Sequence, residues 1–346
     1  MASSTEGAAV VDVVLERLDP DEADFVGAYR VKVAAQAVDM PDEEPVTVKS
    51  VTARYRGPLP GMGPALHWLG RLDGEVVATA TALLPADEND GLAVVELIVH
   101  PLTRRQGVGT AVLRALLPEL TARGRVVLVG TVTKGGAGEE WALATGFRAA
   151  NETVLQRLPL TEVNRSLWEV PVPEGYRLER WTGAAPEDLV ASFATAKGAI
   201  HDAPRGEAAL REPDWTVERV RAAEAEVLER RVEERAVVAV HEPTGEVAGL
   251  TQLWLHPRRP TWGYQRDTVV LAAHRGHGLG RAVKAHMLRR LVEDRPDLDL
   301  IYTGTNADNV HMAAVNHALG FTTVRSMVEV NQPVEALLDA LAGVRR

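Results

Sequence analysis

Apolar positions along this chain form short alternating runs and helical stripes, and the same order of elements occurs twice. Apolar strands are predicted over Val10 to Leu18 and Tyr176 to Trp181, each leading into a helical region. Two alternating runs then flank a glycine, Gly74 in the first half and Gly245 in the second, as a β-hairpin requires. A β-branched run follows, Val94 to Val99 or Thr268 to Leu271, and then a glycine-rich turn. Behind each turn apolar residues recur at helical spacing: Val108, Val112, Leu116 and Leu120, then Leu279, Val283, Met287 and Leu291. Pro118 lacks the amide that the helical ladder uses, so the first of these helices is expected to kink or end early. Strands at Val126 to Thr131 and Asp299 to Thr305 precede a Gly-Phe element in each half. The charge-dense stretch Glu218 to Arg235 reads as a solvent-facing helix with local ion pairs.

The parallel is close enough to be an internal repeat. From 74 to 245 the offset is 171 residues, and it is the same from 96 to 267 and from 104 to 275. Gly146-Phe147 and Gly320-Phe321 continue the match with a slightly longer offset. Pro159, Pro171, Pro173 and Gly175 mark a linker. The expected organisation is an α/β chain with mixed, α+β-type sheets in two tandem domains, 8–158 and 176–346, joined by 159–175.

Composition narrows the function. The length of 346 residues suits about two domains. No run of roughly 18 apolar residues is present to span a membrane, and the N-terminus does not read as a signal peptide. The absence of cysteine excludes disulfides, zinc-thiolate sites and a cysteine nucleophile, and agrees with a cytoplasmic protein. A net charge of −10 argues against nucleic-acid binding and mildly favours a cationic partner such as an amine.

The informative motif is a strand, then Arg-x-x-Gly-x-Gly, then a helix. Glycines let the backbone approach a bulky anion, and the leading helix amides carry partial positive charge. Such a turn can hold a pyrophosphate, with Arg104 or Arg275 adding a charged donor. A dinucleotide fingerprint would need a third glycine that neither turn has, and no Walker lysine follows. His274 and His277 straddle the second turn but make weak zinc evidence on their own.

The stretch Val99-His100-Pro101-Leu102-Thr103-Arg104-Arg105-Gln106-Gly107-Val108-Gly109 resembles the acetyl-CoA-binding motif of the GNAT superfamily of N-acetyltransferases. Its counterpart, Val270 to Gly280, is similar and nearer the usual Arg-Gly-x-Gly-x-Gly form, whereas Arg105 stands where glycine is typical. The closing Leu-Gly-Phe signature matches at Gly320-Phe321 and, with Thr145 in place of leucine, at Gly146-Phe147. The resemblance spans nearly the whole chain as two GNAT-like acyl-CoA N-acyltransferase domains.

What the resemblance implies is specific. The strand before each turn splays from its neighbour, and backbone at Ile98, Val99, Val269 and Val270 pairs with the pantetheine arm of acetyl-CoA. The pyrophosphate sits on Arg104, Arg105, Gln106, Gly107, Val108, Gly109 and Thr110, or on Arg275, Gly276, His277, Gly278, Leu279, Gly280 and Arg281. Asn306 and Asn309 resemble the family's Asn-x-x-Asn helix start near the cofactor, and Asn306 is also a good N-cap by its chemistry. The first half has Lys134 to Glu140 there, without asparagine, so the second domain is the expected catalytic one. Attack is direct, by a primary amine of a small-molecule acceptor. Glu96 and Asp267, at one repeat position, are candidate bases, with strand-edge charge or arginine pairing as the plain alternative. The family's tyrosine acid, four residues before the closing glycine, is replaced by Ala142 and Asn316, which leaves Asn316 acting through water as a candidate and keeps a catalytically silent CoA-binding scaffold in view. Neither a nucleic acid nor a membrane is an expected partner, and the chain is expected to be a monomer or homodimer.

Overall fold

In this computed structural model the described residues are 11–21, 25–41, 43–57, 60–257 and 259–343. Val10, the expected start of the first strand, and residues 8–10 of the first expected domain lie outside them. Contacts divide the chain into two units, residues 1–150 with 329–346, and residues 151–328.

The first half of the chain runs β1 (Val14–Leu18), α1 (Val26–Asp39), α2 (Val48–Arg56), β2 (Ala65–Leu72), β3 (Glu75–Leu83), β4 (Leu92–Val99), α3 (Val108–Ala122), β5 (Val127–Thr133), α4 (Ala137–Ala144) and β6 (Arg148–Pro159). The second runs β7 (Tyr176–Thr182), α5 (Val190–Gly198), α6 (Val217–Glu229), β8 (Glu233–His241), β9 (Val247–Leu255), β10 (Trp262–Val270), α7 (Leu279–Asp294), β11 (Leu300–Asn306), α8 (Val310–Ala318), β12 (Thr322–Pro333) and α9 (Val334–Gly343). Both predicted hairpins form, the first around Asp73 and Gly74, whose positive φ values of 51° and 84° give the twist a tight hairpin turn needs. In the first unit the sheet order is β1-β2-β3-β4-β5-β12, and in the second it is β6-β11-β10-β9-β8-β7.

The period-two pattern sorts the second unit's core onto two faces. Val237 and Ala239 pack with Leu279, Val283, Met287 and Leu291 of α7. The intervening Val238 and Val240 pack instead with Val190 and Phe193 of α5 and Val220 of α6. Helices therefore cover both sheet faces, and each fully buried leucine such as Leu288 contributes ~2 kcal/mol.

Several expectations change. The first half of the chain supplies most of β6 to the second unit, where it pairs antiparallel with β11, and the second half supplies the end of β12, beside β5, and α9 to the first unit. The stretch 159–175 is not a loose linker, because Leu160 and Trp168 are buried in the second unit's core and the Trp168 indole donates to the Leu319 carbonyl at 3.0 Å. Helix α3 passes through Pro118 to Ala122, since the proline removes one rung near its end while Leu116, Leu117 and Leu120 stay buried. The charged helix ends at Glu229, and 233–241 is a strand whose inner residues are buried.

Candidate active site

The glycine-rich turns are built alike. Gly107 (φ 86°) and Gly278 (φ 79°) are left-handed N-caps of α3 and α7, and neither helix has a side chain bonded to its leading amides. Those amides are free to bind an anion. Position 276 is a glycine at φ 84°, and its counterpart Arg105 holds the same left-handed geometry at φ 64°. The space beside Gly276 and Gly278 is open, so a bulky group can reach their backbone. In the first unit the turn is more crowded: the Trp141 ring lies against Gly109, and its indole donates to Thr110 Oγ1 at 3.3 Å.

Side chains in these turns are mostly committed elsewhere. Val108 and Leu279 point into the core, leaving only their backbone to a ligand. Gln106 donates to the Leu102 carbonyl. Arg104 donates to the Val99 carbonyl and, through both terminal nitrogens, to Asp39 at 2.7 and 2.6 Å. Arg275 does the same with the Val270 carbonyl and with Asp202 at 2.6 Å. Both arginines thus brace the turn against the strand end and a nearby acid. His277 and Arg281 are exposed.

In each unit the parallel strand pair parts before the glycine-rich turn. Parallel pairing of β4 with β5 covers Leu92 to Val94, and that of β10 with β11 covers Trp262 to Gln265. Beyond those residues, Ile98, Val99, Val269 and Val270 pair only on their other side, with β3 or β9. In β10 the register against β9 also slips between Gln265 and Thr268, so Arg266 and Asp267 form a bulge at the parting.

In the first unit Glu96 is held between two cations. It bonds to the buried Lys32 and to Arg54, the latter at 2.5 Å. Burial would raise its carboxyl, but Arg54 and Lys32 outweigh that and hold it down to about 2. Burial in turn lowers the Lys32 ammonium against the pull of Glu96. Tyr55 and His67 pack edge to face beside them with ring centroids 4.7 Å apart.

The second unit repeats the lysine–carboxylate pair in looser form. Lys197 lies 3.6 Å from Asp267, donates to Gln252 Oε1 at 2.5 Å, and stacks over Trp215 at 4.0 Å. Gln252 passes the chain on to Glu234 Oε1 (2.8 Å), which also accepts from the Trp254 indole at 2.7 Å. Burial pushes the Glu234 carboxyl up, opposed by the Trp254 bond and Lys197.

The asparagines are struts. Asn309, not Asn306, is the N-cap of α8, accepting from the Met312 amide at 3.1 Å. Asn306 accepts from the Asp308 amide and donates to Asn151. Asn316 is fully buried and donates to Gln156 (2.8 Å) and Thr305 (3.0 Å), while its Oδ1 has no hydrogen-bond partner.

The model of the Acetyltransferase (GNAT) family matches residues 38–136 and 202–321, more than half of the chain. The chain belongs to the GNAT acetyltransferase family. Among relatives of this GNAT protein, a mycothiol acetyltransferase of Salinispora arenicola (strain CNS-205) is 29% identical over 92% of this chain and 96% of its own. One of Mycobacterium ulcerans (strain Agy99) is 29% identical over 70% and 74%. A solved tandem GNAT protein from the clavulanic acid biosynthesis pathway, without acetyl-CoA, is 25% identical with TM-score 0.74, covering 93% of this chain and 99% of that one. The two-domain mixed α/β architecture of this GNAT enzyme is therefore that of known tandem acetyltransferases.

Sequence reasoning missed Lys32, Lys197, Arg54, Glu234 and Gln252. One signal was present: Lys32 interrupts Val31-Val33-Ala34-Ala35, and Lys197 follows Phe193-Ala194-Thr195-Ala196, each a cation set in an apolar stretch. Among the described residues no helix is long and apolar enough to cross a membrane.

Proposed function

We propose that this chain moves an acetyl group from acetyl-CoA to the primary amine of a small-molecule acceptor, and that the second unit carries the reaction. The observation that carries this reading is the coincidence, in that unit, of an open Gly276–Gly278 turn, uncapped α7 amides and a bulged, parted β10 holding Asp267. When bound, acetyl-CoA supplies the activated acetyl thioester. The α7 amides would hold its diphosphate and the free edge at Val269 and Val270 its pantetheine arm. Asp267 would orient the acceptor ammonium. Its proton would pass through water to Glu234 Oε2, the oxygen that takes neither the Gln252 nor the Trp254 bond, while Lys197 and Gln252 hold the two carboxylates in place. A carboxyl raised by burial is a better base near neutrality than an ordinary one. Asn316 donates its amide hydrogens to Gln156 and Thr305, so proton delivery on the product side falls to solvent.

For the first unit we infer a supporting role. Glu96, pulled down to about 2 between two cations, has too little proton affinity for a base, and Trp141 crowds the turn. The name shared by the relatives makes a mycothiol-type amine one member of an acceptor panel.

The test is an acetyl-CoA titration with an acetylation assay on that panel. Turnover should be lost in Gly278→Val, whose β-branched side chain does not tolerate φ 79° and fills the cradle. Glu234→Gln should lower kcat by ~10²-fold or more with little change in KM. Full activity in Gly278→Val, or acetyl-CoA binding without turnover on any amine, would overturn the assignment.

A further inference from the structure

Around the base of the second turn sits a group of side chains that the acetyl transfer does not use. His241 ends β8, Glu246 follows four residues of hairpin loop later, and His274 closes the short 3₁₀ turn Ala272–His274 before Arg275. One ligating atom from each lies within 4.8 Å of the other two. Glu246 Oε1 is 2.9 Å from His274 Nε2. Two ligands on one zinc ion at roughly 2.1 Å stand about 3–3.5 Å apart, so this separation needs only a small rotation to admit an ion.

The outer partners are also in place. His274 Nδ1 meets the Tyr176 hydroxyl at 2.8 Å, and His241 Nδ1 meets Thr244 Oγ1 at 2.9 Å. Each imidazole is thereby oriented through one nitrogen, leaving Nε2 for an ion, the arrangement that metal-bound histidines use. The hairpin backbone holds the pair rigidly, with the His241 amide donating to the Glu246 carbonyl at 2.9 Å. His277 stands just beyond, its ring 5.9 Å from that of Tyr176.

The cluster does not come with the fold. In the first unit the hairpin turns in two residues between Leu72 and Glu75, and Thr103 stands at the repeat position of His274. Only the glutamate has a counterpart.

We propose that His241, Glu246 and His274 form a binding site for a divalent d-block cation such as zinc, tying the β8–β9 hairpin to the base of the glycine-rich turn. Two imidazoles and one carboxylate favour such an ion over magnesium or calcium, which prefer oxygen ligands throughout. The site stands independently of which unit acetylates and of the acceptor.

The test uses the full chain, free of any affinity tag and stripped with chelator, titrated with zinc against a chromophoric indicator and separately with cobalt. One equivalent is expected to bind at micromolar or lower concentration, and the cobalt form should show the visible absorption of a four-coordinate nitrogen–oxygen site. His241→Ala and Glu246→Gln change a hairpin end outside the core, so both variants should fold, as circular dichroism will report. Each should weaken zinc binding by ~10-fold or more. Zinc binding that survives unchanged in both folded variants, or no binding by the wild-type chain at micromolar zinc, overturns the proposal.

Discussion

At the scale of single residues, buried charge decides most of what is distinctive. The carboxyl of Glu96 lies at about 2 in the folded chain against an ordinary 4.5, so the stability it contributes is complete above about 4.5 and lost as pH falls through about 2. Glu96→Gln leaves Lys32 buried without its counter-ion and should destabilise the protein by ~3 kcal/mol at pH 7, read by urea denaturation, with the difference closing toward pH 2. Lys284 shows the opposite sign. It lies buried in α7 over the Phe321 ring, and burial lowers its ammonium from 10.5 to about 7. Below pH 7 folded and unfolded chains both carry the charge and the full penalty applies; it fades as pH rises from 7 to 10.5. Lys284→Met should therefore stabilise by more than ~1 kcal/mol at pH 6 and by much less at pH 10. A lysine in an apolar stripe can be seen in the sequence; which carboxylate faces it cannot, because Lys32 and Glu96 are 64 positions apart.

At the scale of elements, turns and caps translate sequence into geometry most directly. Arg105 holds a left-handed conformation that its repeat partner Gly276 adopts freely, so Arg105→Gly should raise stability by up to ~1 kcal/mol in thermal unfolding. Gly320 is stricter, combining φ 96° with a Cβ position only 2.5 Å from Val163 Cγ2. Gly320→Ala should cost about 2 kcal/mol or more through strain and overpacking. Both helices behind the glycine turns, both hairpins and the Gly-Phe elements are legible in the pattern of residues. The N-cap of α8 is less so: Asn306 and Asn309 are equally suitable by chemistry, and only the path of the chain selects Asn309.

At the scale of the molecule, the repeat does not map onto the folded units. The first unit needs residues 329–346, whose Val334 amide donates to the Val126 carbonyl at 2.9 Å while the Leu341 carbonyl accepts from Arg114 at 3.2 Å. A fragment of residues 1–150 should thus fail to show a cooperative thermal transition, and fusing 329–346 to it through a flexible linker should restore one. Duplication, strand and helix periodicity, the anion-binding turns and the GNAT family relation follow from the sequence alone, because each rests on residues adjacent or evenly spaced along the chain. Which strand completes which sheet, which lysine meets Glu96 or Asp267, and the grouping of His241, Glu246 and His274 were decided only by tertiary structure. Two nearly equivalent copies offer equivalent edges to each closing strand, and contacts between distant segments leave no spacing in the sequence from which to choose.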